Sequence, residues 1–299
     1  MRFFRNANFD FLSMRKRAYI FSGALILVGI GSLVLHGGPR YGVDFTGGTL
    51  IQVEFAQETS VSDLRSILSS AGMESAQIQQ FGESNEFLIR TQDFEGIVDE
   101  VSGLLHESYG ADGFTMSTDA VGPKVGSELQ KKAGIAILMS FALTLIYLAF
   151  RFEWRFGVAA IIATFHDITI TIGFISLLNI EITLATVAAI LTILGYSLND
   201  TIVVFDRIRE NLKKRRKDRY EDIINSSVNE TLPRTVLTSG TTLATLLALF
   251  ILGGTVVRPF ALVLIIGIVI GTYSSIFVAS PALLEIEERS RRKDKKAGR

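Results

Sequence analysis

Six blocks of about 20 consecutive apolar residues constrain this chain more than any other feature. They fall at approximately 18–36, 132–150, 156–178, 182–206, 234–253 and 259–283. A block of that length crosses a hydrocarbon core ~30 Å thick as a helix. Hydrophobic residues make up 48% of the chain, and it is their concentration into blocks that excludes an ordinary soluble domain. The expected fold is an α-helical polytopic membrane protein with six transmembrane helices. Between helices 1 and 2 it carries a small α+β domain.

Charge orients the spans. The net charge of zero hides two unlike populations. Residues 37–129 hold fifteen acids but only Arg40, Arg65, Arg90 and Lys124 as lysine or arginine. The N-terminus (Arg2, Arg5, Arg15, Lys16, Arg17), the "RFEWR" link, the "RIRENLKKRRKDR" loop and the "ERSRRKDKKAGR" tail are basic. If every block crosses, all four basic segments share one side, and the positive-inside rule makes that side cytoplasmic. The same topology accounts for the basic runs without nucleic-acid binding. Residues 1–17 are then a cytoplasmic N-terminus, and 18–36 is transmembrane helix 1. Residues 37–130 form a periplasmic domain, 131–283 hold helices 2–6, and 284–299 are a basic cytoplasmic tail. Helix 1 has the length of an uncleaved anchor and lacks a small-x-small cleavage site. There is no cysteine, hence no disulfide framework or thiolate metal site.

The external segment has its own pattern. "TLIQVEF" (49–55) alternates as a strand, and "SVSDLRSILSSAG" (60–72) has helical spacing. "AQIQQFG" and "NEFLIRT" read as two strands around "ESN". "DFEGIVDEVSGLLHESYG" (93–110) is a second amphipathic helix, and "FTMSTDA" a last strand. The order β-α-β-β-α-β is that of a ferredoxin-like unit.

Several polar residues sit where hydrocarbon is expected. A charge near the centre of a span costs roughly 2.5–3.5 kcal/mol on insertion scales, so it usually has a partner or a role. Asp200, beside Asn199 in "LGYSLNDTIVVFDRIREN", is followed by apolar residues to Phe205. That run argues against an acid merely ending a helix. Arg234 opens the fifth span, with Thr238, Thr241, Thr242 and Thr245 at offsets that share a helical face. Such a stripe suits protein or a wet cavity. Because the fourth and fifth spans run in opposite directions, Asp200 and Arg234 have similar depth and an ion pair is possible. The bland alternative for Arg234 is a snorkelling surface arginine. His166 and Asp167 lie within the third span. They suggest a polar interhelical contact or a proton route more than a metal site, which needs further ligands. Asp206, Arg207, Arg209 and Glu210 read as a solvated helix end, and the G-x-x-x-G of Gly267 and Gly271 as close helix packing. No Walker motif or G-x-S-x-G elbow is present, so the expectation is a non-enzyme without ATP chemistry. No cofactor is expected, with protons as the coupling ion.

"YGVDFTGG" (41–48), "VGPKVGSEL" (121–129) and "LGYSLNDTIVVFDRIREN", together with "LPRT" around Arg234, closely resemble the signatures of SecF-type subunits. These belong to the SecD/SecF family of protein-export membrane proteins. The resemblance covers essentially the whole chain. It implies membership of the resistance-nodulation-division superfamily and a SecD-like subunit in a separate chain. It further implies association with the SecYEG translocon, with YajC and YidC-like proteins as further partners, and action on a translocating polypeptide in the bacterial inner membrane. The family's proton-pathway carboxylate and arginine fall on Asp200 and Arg234, with Asn199 adjoining. His166, Asp167, Thr238, Thr241 and Thr242 are candidate members of a polar network. Gly42, Asp44, Gly47, Gly48, Gly122, Pro123 and Gly126 are candidate structural-motif residues. The two glycines at 47–48 suit a positive φ or a close backbone approach, with Asp44 able to cap or orient the turn. Other readings remain open at this point: a non-transporting structural subunit, or half of a small-molecule exporter of the same superfamily.

Overall fold

A computed structural model describes residues 7–70, 72–73, 76–80, 84–91, 96–110 and 112–297. Arg2 and Arg5, residues 81–83 of the expected hairpin, and residues 71 and 93–95 of the two expected external helices lie outside them. The chain divides into two compact units, Tyr41–Ile135 and the remainder.

The smaller unit holds a short helix α2 (Val43–Thr46), β1 (Gly48–Phe55), α3 (Val61–Ser70), β2 (Gln77–Gln80), β3 (Glu86–Thr91), α4 (Ile97–Tyr109) and β4 (Phe114–Val121). Its four strands pair antiparallel in the order β2-β3-β1-β4, the ferredoxin-like order that the sequence predicts. Strand alternation decides which face is covered. Ile51, Val53 and Phe55 on β1 point the same way as Phe87 and Ile89 on β3, and Leu64, Leu68, Val101 and Leu105 close over them. Each such side chain contributes about 1.5–3 kcal/mol on full burial. The face of the sheet turned away from the helices carries polar residues such as Gln52, Glu54 and Arg90.

The larger unit contains α1 (Arg15–Leu35), the greater part of α5 (Pro123–Arg151), α6 (Trp154–Leu177), α7 (Leu184–Lys214), α8 (Tyr220–Leu252), α9 (Gly254–Ser274), a π-helical segment (Ser275–Ala279) and α10 (Ser280–Ala297). Among the described residues, six helical stretches are long and apolar enough to cross a membrane. The most apolar window is 56% buried in α6, 56% in α7 and 61% in the stretch running from α9 into α10. It is only 11% buried in α5 and 17% in α8. Three spans therefore form an inner core, and the other three, including that of α1 at 22%, turn most of their surface outward.

Small residues set the helix spacing. On α1 only Ala18, Ser22, Gly29 and Ser32 are buried, and they form one stripe. A Cβ on Gly29 would stand 2.7 Å from the Cα of Gly173 on α6, so the two backbones touch there. Ser32 and Ser176 add a hydroxyl contact of 2.9 Å. Gly267 and Gly271 on α9 likewise receive Ile193 and Ser197 of α7. The expected close packing is present, and it brings α7 and α9 together where the polar residues lie.

The expected basic loop after residue 206 is mostly helix. With 31 residues α7 is about 46 Å long, and α8 with 33 residues about 50 Å. Both exceed a ~30 Å hydrocarbon core. The basic end of α7 and the acidic start of α8 make a helical hairpin joined by residues 215–219. Asn211 donates to Ser227 (2.9 Å), and Glu230 accepts Arg207, Arg215 and Asn211. Pairing of this kind lets charged sequence stay helical, which a loop reading of the same charges misses. The N-terminal segment is also docked on this hairpin. Asn225 and Asn229 of α8 hydrogen-bond the backbone of Phe9 and Phe11 at 2.8–2.9 Å.

Candidate functional site

Asp200 occupies the middle of α7, on the face turned into the bundle, and is 3% exposed. Its hydrogen-bond donor is Ser239 of α8, at 3.3 Å from Oδ2. The Ser239 hydroxyl also stands 2.7 Å from Thr272 Oγ1 on α9, a contact in which either hydroxyl can donate. A carboxylate able to accept about four hydrogen bonds therefore holds one long contact.

Arg234 lies five residues before Ser239 on α8. It is near enough to act on Asp200 through its charge. The side chain is exposed, however, and among the described residues it forms no ion pair within 4.0 Å. The expected direct Asp200–Arg234 pair is thus not formed in this structure, because Asp200 faces the core of the bundle and Arg234 its outside. Asn199, one residue along α7, is exposed.

The threonine stripe lies mostly on the outside of the bundle. Thr241 and Thr245 are exposed, and Thr238 and Thr242 are half-buried. All four hydroxyls turn back to their own helix, onto the carbonyls of Arg234, Leu237, Thr238 and Thr241. That intrahelical bond satisfies a threonine without any wet cavity. Thr242 alone of the four has an interhelical contact, from Tyr196 at 3.2 Å. The inward face of α8 is instead Ser227, Thr231, Thr235 and Ser239, all buried. Sequence reasoning missed Ser239, although a spacing of four in small hydroxyl residues was available to find it.

His166 and Asp167 of α6 are brought into one buried network. Asp167 is 1% exposed, accepts from Ser197 of α7 (2.5 Å) and Ser274 of α9 (2.6 Å), and stands 2.8 Å from His166 Nδ1. His166 Nε2 stands 2.9 Å from Ser22 Oγ on α1, which in turn stands 3.1 Å from the hydroxyl of Tyr273. Tyr273 donates to the carbonyl of Ala18 at 2.9 Å. Four helices meet on this one pair. The π-helical segment begins directly after Ser274, and its freed Ser275 carbonyl accepts Ser280 Oγ at 2.9 Å.

The motif glycines gather at the two ends of the external unit. Gly47 and Gly48 have φ of 74° and 112°, a region closed to most side chains. Gly48 pairs with Val121 across β1 and β4. A Cβ on Gly126 would lie 2.9 Å from Gly47 N and 3.0 Å from Phe45 O. Gly122 accepts the Gly126 amide at 3.0 Å, just as α5 starts at Pro123. Gly42 is the N-cap of α2, and Asp44 falls in the first turn of that helix. This set is a backbone junction.

The fold and its six apolar helices define a multi-pass membrane protein with a small α+β domain between its first two spans. Residues 102–289 match the family described as "Protein export membrane protein SecD/SecF, C-terminal", and residues 33–59 match the "SecD/SecF GG Motif". Two similar relatives are the "Protein translocase subunit SecF" chains of Gemmatimonas aurantiaca and Rhodothermus marinus. The first is 46% identical, covering 98% of this chain and 92% of its own. The second is 42% identical, covering 97% of each. The chain belongs to the SecD/SecF family of protein export membrane proteins. Among solved structures it resembles SecDF, a translocon-associated membrane protein from Thermus thermophilus, with TM-score 0.86 and 39% identity over 96% of this chain. A super-membrane-facing form of SecDF matches with TM-score 0.71 and 39% identity over 98% of this chain. This chain spans 40% of the length of either SecDF chain.

Proposed function

We propose that this protein is an accessory subunit of the Sec translocase. It works with a SecD-like partner and uses the proton-motive force to promote export of polypeptides across the bacterial inner membrane. Relatives of nearly equal length bear the name of a translocase subunit, which supports the first part. Its match to 40% of a SecDF chain supports a partner supplying the remainder. The mostly outward surface of α8, with exposed Thr241 and Thr245, suits a protein neighbour better than lipid. Association with SecYEG, and with YajC and YidC-like proteins, belongs to the same reading. So does a role without enzymatic chemistry, in which protons are the only coupling species. Both termini are assigned to the cytoplasm and residues 37–130 to the periplasm. Cysteines placed at Ser84 and Lys217 should therefore label from opposite sides, and labelling of both from outside intact cells would overturn that topology.

The observation that carries the coupling is Asp200: a buried carboxylate with one long hydrogen bond and an arginine nearby but not in contact. Such a group changes its energy sharply with protonation, because a charge in low dielectric is costly and a neutral acid is not. Moving one charge through the membrane potential is worth about 2.3 kcal/mol per 100 mV. A packing change triggered at Asp200 is of comparable size. The test is export into vesicles under an imposed proton gradient. Asp200→Asn should insert and bind its partner normally while losing the gradient-dependent part of export, and Arg234→Met should fail likewise. Unchanged gradient stimulation in a well-assembled Asp200→Asn protein would refute the reading.

A further inference from the structure

The chain of contacts through His166 has a fixed proton requirement. Four contacts run in series: Asp167 Oδ1 to His166 Nδ1 (2.8 Å), His166 Nε2 to Ser22 Oγ (2.9 Å), Ser22 Oγ to Tyr273 Oη (3.1 Å), and Tyr273 Oη to the Ala18 carbonyl (2.9 Å). Each needs one proton between its two heavy atoms. A neutral imidazole, a serine and a tyrosine supply one each, and a carboxylate supplies none. Three protons then serve four contacts, and one contact becomes two lone pairs facing each other.

Adding a single proton repairs the whole series. Ala18 offers only a carbonyl, so Tyr273 donates there. Ser22 then donates to Tyr273, and His166 Nε2–H donates to Ser22. The last contact is filled by His166 Nδ1–H on a carboxylate, or by a protonated Asp167 on Nδ1. Both arrangements contain the same number of protons. The donors from Ser197 and Ser274 converge on the other carboxylate oxygen and favour the imidazolium–carboxylate form.

Charge leads to the same count independently. Without the extra proton, this buried site carries a net negative charge. Among the described residues, the one ion-pair contact of Asp167 within 4.0 Å is His166. Tyr273, from α9, is the other titratable group in the network, its ring stacked 6.2 Å from that of His166. With the proton, the pair is neutral overall. An unpaired buried charge inside a span is the costlier state.

We propose that His166 and Asp167 form a second proton-holding site, occupied by one shared proton in this structure and separate from Asp200. Its removal costs the network one of its four links. The site stands whether or not Asp200 couples export to a gradient.

Histidine labelling tests this directly, because the chain has three histidines and the other two, His36 and His106, are exposed. The full-length chain with His36→Gln and His106→Gln leaves His166 as the only histidine. It would be reconstituted in lipid with ¹⁵N-histidine and ¹³C-aspartate, and studied by solid-state NMR at neutral pH. Comparison with Asp167→Asn assigns the Asp167 carboxyl. Two protonated ring nitrogens, or one together with a protonated Asp167 carboxyl, give the expected count. One bare ring nitrogen beside an ionised Asp167 overturns it. In Asp167→Asn the second N–H signal should disappear, and its persistence would show that the proton does not belong to the pair.

Discussion

Two buried carboxylates share one helical bundle, and their surroundings differ in kind. Asp167 makes three hydrogen bonds at 2.5–2.8 Å, with groups on three helices. Asp200 receives one at 3.3 Å, from Ser239, which also contacts Thr272. Asp167 belongs to α6 and Asp200 to α7, but the difference does not lie in the carrying helix alone. It reflects what the neighbouring helices present. Against Asp167 lie hydroxyls of α7 and α9 brought close by Gly271. Against Asp200 lies α8, which buries little of its surface within this chain. A fully satisfied buried polar group holds a structure in one arrangement, and a poorly satisfied one leaves it ready to change.

Replacing Asp167 by leucine should have the largest effect. It leaves His166, Ser197 and Ser274 without their shared acceptor, and breaking such a buried set costs about 3–5 kcal/mol. Denaturant unfolding of the reconstituted protein measures it. A loss under about 1 kcal/mol would mean the network is not the bundle's anchor. Next comes Ser197→Ala, which removes one hydrogen bond to that carboxylate and should cost about 1.5–3 kcal/mol. Alanine keeps the Cβ that packs on Gly271, so the loss reports the hydroxyl.

Legibility in the sequence followed the same division. The six spans, the strand order of the external domain and the Gly267–Gly271 contact were readable, because each depends on local periodicity or residue size. Asp200 was readable as an anomaly, since one charge in an apolar run needs no partner to be noticed. What it touches was not. Whether Thr238 or Ser239 faces inward depends on the rotation of α8 about its axis, and one residue moves the side chain by about 100°. The three partners of Asp167 come from positions 22, 197 and 274 by way of His166 and two direct contacts, a coincidence that only tertiary packing creates. The continued helices past residue 206 were hidden for a different reason. Charged residues read as loop until their cross-helix pairs, such as Arg207 with Glu230, are known.

Ser239→Ala sharpens the contrast with Ser197→Ala, since both delete one hydroxyl facing one carboxylate. The Ser239 contact is long and shared, so unfolding should change by no more than about 1 kcal/mol. A cost equal to that of Ser197→Ala would show that Asp200 is held as firmly as Asp167, and the comparison would break.

Asp200→Asn should have the smallest effect on stability, within about 0.5 kcal/mol. The amide keeps the shape of the side chain and can still accept from Ser239. It removes a charge that no ion pair compensates here, so little favourable interaction is lost. Its NH₂ also gains donors that a carboxylate lacks, and Thr272 and Ser239 are the nearby oxygens able to accept. A group whose removal leaves folding untouched while abolishing the gradient-dependent part of export acts through its charge state. The same substitution at Asp167 should reverse the pattern, lowering stability first. If Asp200→Asn instead destabilised the bundle by several kcal/mol, both acids would be structural, and the contrast between them would not mark one as the moving part.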